Sequence, residues 1–237
     1  MNFIITILDF FYQKKKYQFL KKRIPSNIDI FFDIGSHHGA TIKEFLEIFS
    51  INKIYAFEPS KKNYLELRKN VEKIRKIKSV DIKIYQLGVG KKEEILELNE
   101  ITDGVSNTFN KLDLDSDYFK KKKFITTFFG IKKFFSNKIS TKIITLKNFI
   151  KKEKIEKIEF VKIDTEGFEL NVLLGLEDDI KKVKFILFEH HYDNMIIKKY
   201  NFSDIHRLLD NSGFKQIFKI KMPFRKSFDY IYENKNL

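Results

Sequence analysis

The stretch Ile28–Gly39, IDIFFDIGSHHG, decides how the rest of the chain reads. Ile28–Ile34 is a short apolar run of branched and aromatic residues that stops at Gly35. Such a run predicts a buried strand of a parallel sheet. Just beyond it, Ala40–Ser50 carries Ile42, Phe45, Leu46 and Phe49 at helical spacing, which predicts a helix. Lys53–Phe57 predicts a second strand, Lys61–Lys76 a second helix and Asp81–Leu87 a third strand. Ile158–Ile163, a helix near Phe168–Leu174 and a strand Phe185–Phe188 resume the alternation. Strands alternating with helices predict an α/β fold with a parallel sheet and right-handed crossovers. The tail differs. Ser203–Ser212 predicts a helix capped by Ser203 and ended by Gly213, and Phe214–Ile220 with Ser227–Tyr232 predicts an antiparallel hairpin.

Glu94–Leu98 and Lys142–Leu146 read as extended. Lys111–Lys138 reads as irregular, with two basic-aromatic stretches, Tyr118–Phe124 (YFKKKKF) and Phe128–Phe135 (FFGIKKFF). A long irregular segment at the edge of a sheet suits a lid or an acceptor site.

The chain of 237 residues suits one domain with its own core. It has no cysteine, which excludes a disulfide framework, thiolate metal ligation and a cysteine nucleophile, and fits a reducing compartment. The 46 Lys+Arg exceed the 32 Asp+Glu and give a net charge of +14, which raises nucleic acid and anionic membranes as partners. Abundant Lys, Ile, Phe and Asn also follow from A/T-rich codons, so most of the lysines are expected to be solvated surface. No apolar run approaches the roughly 20 residues of a membrane span, and Met1–Tyr12 lacks the basic region and cleavage site of a signal peptide. Phe3, Ile4, Ile7, Leu8 and Phe11 fall on one helical face, followed by Lys14–Lys16 and Lys21–Arg23. The expectation is a helix docked on the domain; the alternative is an interfacial helix with its lysines at lipid headgroups.

Ligands of open parallel sheets sit beyond the carboxyl ends of the strands. Four predicted strand ends present an acid there: Asp33, Glu58, Asp164 and Glu189. The first turn reads D-x-G-x-x-x-G, from Asp33 through Gly35 to Gly39, not the G-x-G-x-x-G of a dinucleotide site. Asp33 would repel a pyrophosphate and favour a cationic group, while Glu58, 25 residues on, is placed to accept ribose hydroxyls. An adenosyl group joined to a cationic amino acid satisfies both, which describes S-adenosylmethionine.

Four blocks carry a family resemblance: FFDIGSHHGATIKEF, YAFEPSKKNYLELRKN, FVKIDTEGFELNVLLG and FILFEHH. Over Ile28–His191 the sequence resembles the FkbM-type family of S-adenosylmethionine-dependent methyltransferases, whose members mostly methylate hydroxyl oxygens of sugars and secondary metabolites. The block DTEGFE followed by VLLG is the most distinctive. The resemblance implies a Rossmann-like class I methyltransferase fold: a mostly parallel seven-stranded sheet with the C-terminal antiparallel hairpin. The chain is expected to divide into an N-terminal helical segment, 1–27, and a methyltransferase domain, 28–237, with 94–145 as an insertion and candidate acceptor lid. Two positions depart from the family's pattern. Lys147 stands where an acid usually follows the leucine, and His37 stands where asparagine is frequent.

Within this reading Asp33, Gly35 and Gly39 shape the turn and bind the methionine end of the cofactor. Ser36 and His37 hold its carboxylate at the helix N-terminus. Glu58 takes the ribose, and Gly88 or Val89 lies near the adenine. Asp164 binds the ammonium, orients the acceptor or ligates a metal, while Glu166 and Glu169 flank Gly167, Glu169 as a helix cap. The candidate catalytic set is Asp164, Glu189, His190 and His191, with a histidine as general base and His190 ahead of His191. The implied reaction is direct displacement at the methyl carbon. No dedicated metal ligands are assigned, although Asp164, Glu189 and a histidine could hold a divalent ion. The expected acceptor is a small molecule or glycan, anionic or lipid-linked. Nucleic acid is not the expected partner, and the expected location is cytoplasmic, with peripheral contact at the inner face of a membrane. The rival readings are a nucleic-acid methyltransferase and a non-catalytic adenosyl-binding scaffold.

Overall fold

A computed structural model describes residues 2–101, 107–128, 136–223 and 225–237, with the backbone alone for 2–7, 9, 10, 122, 125–128 and 136. The long helix α1 (Asn2–Arg23) precedes β1 (Asn27–Ile34), α2 (Ala40–Ile48), β2 (Ser50–Phe57), α3 (Lys61–Arg75) and β3 (Asp81–Tyr85). A middle section holds β4 (Gly88–Val89), β5 (Glu94–Ile101), β6 (Lys111–Leu112), α4 (Asp117–Phe128), β7 (Ser136–Ile144) and α5 (Leu146–Glu153). The last third comprises β8 (Ile158–Ile163), α6 (Glu169–Leu174), a 3-10 turn (Glu177–Lys182), β9 (Val183–His191), β10 (Ile196–Ile197), α7 (Phe202–Asn211), β11 (Phe214–Lys221) and β12 (Ser227–Asn234).

The central sheet has seven strands in the order β11-β12-β9-β8-β1-β2-β3. The ladders from β3 to β9 are parallel, while β12 runs antiparallel to both β9 and β11. The chain steps from β1 outward to β2 and β3, then returns beside β1 as β8 and continues outward to β9. That reversal between β1 and β8 is the switch point where ligands of such sheets bind. Alternation along β1 sends Phe31 to one face and Phe32 to the other, and two cores follow. Phe32, Val161, Phe188 and Tyr230 pack under α5, α6 and α7. Phe31, Ile54, Phe160 and Leu187 pack under α2, α3 and the C-terminal half of α1. A smaller sheet, β4-β7-β5, and the β6–β10 pair stand beside the main sheet.

Several elements differ from the sequence reading for identifiable reasons. Helix α2 ends at Ile48, because Ser50 already pairs with Asn27 as the start of β2. The third strand stops at Tyr85, and Gly88–Val89 pairs instead with Ile143–Ile144 of the small sheet. Leu146 begins α5 instead of ending a strand, since the Thr145 hydroxyl caps the Asn148 amide at 3.2 Å. Lys111–Lys138 contains α4, whose Phe119 is buried with Met195 and Ile196; Lys120–Lys123 masks its helical period in the sequence. Residues 129–135 of that segment lie outside the described residues. The last helix starts at Phe202 and is capped by Asn201, with Asp204 completing a capping box, not by Ser203. The fifth parallel strand runs on to His191, because β12 pairs with it as far as Ser227.

Helix α1 docks, while Leu8 and Phe11, the described side chains of the expected stripe, remain exposed. Tyr12, Lys16, Leu20 and Ile24 are buried, whereas Leu8 and Phe11 are 39% and 57% exposed. The side chains of Phe3, Ile4 and Ile7 lie outside the described residues. Tyr12 and Lys16 both reach Asp229 on β12, Lys16 at 3.0 Å, and Arg23 pairs with Glu233 at the strand's other end.

Candidate active site

A cleft of about 240 Å³ opens at the switch point, over the carboxyl ends of β1, β2, β8 and β9. Its floor is the turn after β1. The amides of Gly35 and Ser36 both donate to the Phe57 carbonyl, at 2.9 and 3.0 Å, and fold the chain back sharply. Gly35 has φ +77°, and a side chain there would bring its Cβ within 1.8 Å of the Asp164 carbonyl oxygen. Only glycine serves at that point. His37, next in the turn, also holds a left-handed φ of 49°. Such backbone in a non-glycine residue recurs at ligand sites.

Glu58 follows β2 with its carboxylate inside the cleft wall and only 4% of the residue exposed. Its Oε2 accepts from the His37 amide at 2.8 Å and its Oε1 from the Ser60 amide at 3.0 Å. Burial pushes its carboxyl up to about 7, against the opposing pull of those amides. The Asn63 side-chain amide also donates to Oε1, at 3.5 Å, so the acceptor capacity left for a ligand lies chiefly on Oε2.

Beneath the floor, Asp33 is fully buried and does not line the cleft. Lys162 of β8 stands opposite it in the parallel ladder, with Nζ 3.2 Å from Asp33 Oδ1 and 2.7 Å from the Gly35 carbonyl. A third partner, Asp164 Oδ2, is 3.6 Å away. Burial disfavours the Lys162 charge, but Asp33 and then Asp164 outweigh it and hold the ammonium above its ordinary range. Asp164 itself sits at the mouth, its side chain 37% exposed.

The far wall is made by the loop after β8 and the end of β9. Glu169 is completely buried and organises this loop: its Oε1 accepts from the Thr165 and Gly167 amides, at 3.2 and 2.9 Å. Tyr200 donates to its other oxygen at 2.6 Å. Glu166, at φ 49°, and Glu189 both line the cleft. Behind them His191 Nε2 lies 3.3 Å from Glu166 and 3.2 Å from Glu189, and its Nδ1 lies 3.5 Å from Asp193. Burial opposes a charge on this imidazole, but the carboxylates, Glu166 foremost, win and raise it well above the usual histidine value. Burial, reinforced by Asp164 and Glu166, raises the Glu189 carboxyl in turn, with His191 opposing.

Alternation along β9 turns His190 the other way. Its ring packs among Tyr192, Tyr200 and Phe202 at centroid distances of 4.8, 6.0 and 5.7 Å, away from the cleft. Burial, then Lys198 and His191, push its pKa down to about 3. Of the residues singled out from the sequence, Gly35, Ser36, His37, Glu58, Gly88, Val89, Asp164 and Glu189 line the cleft together. Asp33 lies under it, Gly39 stands at the N-cap of α2 and His191 backs Glu189. Among the described residues no group of three or more His, Asp or Glu side chains is arranged to hold a metal ion.

Sequence reasoning passed over Lys162, Asn107, Phe109, Met222 and Arg225, all at the cleft. Lys162 had a signal: it is the one basic residue in the otherwise apolar or acidic strand IEFVKI. Asn107 and Phe109 come from the middle section, and Met222 and Arg225 from the β11–β12 connection, so only the tertiary fold brings them in.

The model of the methyltransferase FkbM domain family matches residues 33–215. Among solved structures, a methyltransferase FkbM from Methylobacillus flagellatus KT superposes with a TM-score of 0.56 at 12% identity, over 89% of this chain and 45% of that one. This chain thus spans less than half the length of that protein. An rRNA methylase from Streptococcus thermophilus gives a TM-score of 0.52 at 11% identity, over 93% and 94% of the two chains. TrmK of M. capricolum, solved with S-adenosyl-homocysteine, gives 0.51 at 12% identity, over 93% and 68%. At such identities the likeness concerns the fold. No curated protein sequence matches the chain. The family match runs from Asp33 at the end of β1 to Lys215 in β11 and takes in the acidic ends of β2, β8 and β9, so the chain belongs to the FkbM-domain methyltransferase family.

Proposed function

We propose that this chain is an S-adenosylmethionine-dependent methyltransferase acting on a hydroxyl oxygen of a saccharide or related metabolite. The observation that carries the reading is Glu58, a buried carboxylate fixed by two backbone amides and the Asn63 side chain beside the Gly35 turn, with acceptor capacity left on Oε2 in the cleft wall. An anion in that position suits a ribose, and the acidic rim of Asp164, Glu166 and Glu189 suits a cationic ligand better than a polyphosphate. S-adenosylmethionine supplies, when bound, a methyl group already activated by a sulfonium.

The chain's own residues divide the remaining work. Glu58 binds the two ribose hydroxyls, and the Gly35–His37 turn receives the amino-acid end, with Gly88 and Val89 at the adenine. Lys162 neutralises Asp33 and fixes the Gly35 carbonyl, so Asp33 acts on the turn from beneath. Asp164 at the mouth pairs with the ligand's ammonium. Glu189, with its proton affinity raised by burial, takes the acceptor's hydroxyl proton, and His191 holds it in place. His190 is a packing residue in this account. The rest of the catalysis is alignment in a site shielded from water. Leu98, Asn107 and Phe109 of the middle section line the cleft and are assigned to its acceptor side.

The test is transfer of a labelled methyl group from S-adenosylmethionine to separate pools of saccharides and of RNA. Label in the saccharide pool supports the reading. Label in RNA alone replaces the acceptor class, and no label in either pool leaves a non-catalytic adenosyl-binding module.

A further inference from the structure

The docking of α1 fixes its direction relative to the cleft. Arg23 meets Glu233 and Tyr12 meets Asp229, so moving backward along the helix leads toward the end of β12 that pairs with His191 at the cleft. The helix continues ten residues before Tyr12, from Asn2. At 1.5 Å per residue this first half extends about 15 Å past the Asp229 anchor on the cleft side of the sheet.

The outward side of this helix has two zones. Leu8 and Phe11 are exposed at 39% and 57%, and from Phe3 to Phe11 the sequence has one charge, Asp9. The next three turns expose Lys14, Lys15, Lys21 and Lys22, while Tyr12, Lys16 and Leu20 face the protein. Apolar side chains next to a lysine cluster on one exposed helix side suit a lipid–water boundary: the apolar part enters the acyl edge and the lysines meet the headgroups. A neutral or cationic surface gains nothing from the lysines. No described helix is long and apolar enough to cross a membrane, so the contact is lateral.

We propose that α1 is an interfacial anchor that binds the chain to an anionic phospholipid surface and presents the cleft toward it. Binding rests on this helix and not on the general excess of lysine.

The experiment is co-sedimentation of the full chain with vesicles of phosphatidylcholine plus phosphatidylglycerol, and with phosphatidylcholine alone. Partitioning is expected on the anionic vesicles, falling as salt rises. Lys14→Glu with Lys15→Glu should weaken it by at least about tenfold. Phe11→Ser should weaken it with charge unchanged. Lys151→Glu with Lys152→Glu, on α5 across the sheet, should leave it intact. Circular dichroism of each variant guards against misfolding, and the altered lysines are exposed. Absence of binding to anionic vesicles, equal binding to neutral ones, or equal loss in the α5 variant would each overturn the proposal. The readout is partitioning alone, so it stands apart from whether methyl transfer occurs.

Discussion

Lys162 and Asp33 face each other across the β8–β1 ladder with Nζ 3.2 Å from Oδ1, both buried, Asp33 under the cleft floor and Lys162 at its lining. Two charges taken out of water so close to the site are stable only as a pair. Removing one partner leaves the other uncompensated, at about 3–5 kcal/mol. Lys162→Met should therefore lower stability by that order in urea unfolding, and Asp33→Asn in the same chain should recover most of it. A single variant as stable as the parent would mean that the pair does not support the floor.

Glu58 should make cofactor binding depend on pH. Its carboxyl is pushed up to about 7 by burial, and hydroxyls donate to the ionised form. The folded value lies above the unfolded one, so its stabilising contribution is complete below about 4.5 and is lost as pH rises through about 7. Ligand binding runs the other way, tightening by roughly tenfold between pH 6 and 8 as the carboxylate ionises. Calorimetry of S-adenosylmethionine binding across that range checks both the sign and the size, and Glu58→Gln should flatten the profile.

The two adjacent histidines of β9 should titrate at opposite extremes. His190, pushed down to about 3 among aromatic rings, should stay neutral from pH 4 to 8. His191, surrounded by Glu166, Glu189 and Asp193, should stay protonated through the same range. Imidazole resonances followed by NMR report this directly. His191→Gln should impair turnover with cofactor binding intact, whereas His190→Phe should leave turnover near that of the parent. The reverse pattern would return the base to His190.

Gly35→Ala should abolish ligand binding outright. Its Cβ would fall 1.8 Å from the Asp164 carbonyl, and its φ of +77° disfavours any side chain. Calorimetry together with circular dichroism would show whether a folded Gly35→Ala chain still binds S-adenosylmethionine; retained affinity would contradict the role given to the turn.

The strand ends were legible because each parallel strand is a short apolar run, and the acids after them mark one sheet edge. Helix α4 was hidden by its lysine run, and α5 by reading Leu146 as a strand end instead of the first residue after the Thr145 cap. Which β9 histidine faces the cleft was not legible, because pairing with β12, a contact far away in sequence, extends the strand and fixes the alternation there. Lys162 lay in plain view, yet its worth depends on standing opposite Asp33, and register is a property of the folded sheet.

The central claim is that this cleft binds S-adenosylmethionine through Glu58. Isothermal titration of the full chain with S-adenosylmethionine tests it most directly, alongside Glu58→Ala checked for native circular dichroism. The account predicts saturable one-to-one binding by the parent chain and its loss in the variant. No binding by the parent chain, or unchanged affinity in Glu58→Ala, would contradict it.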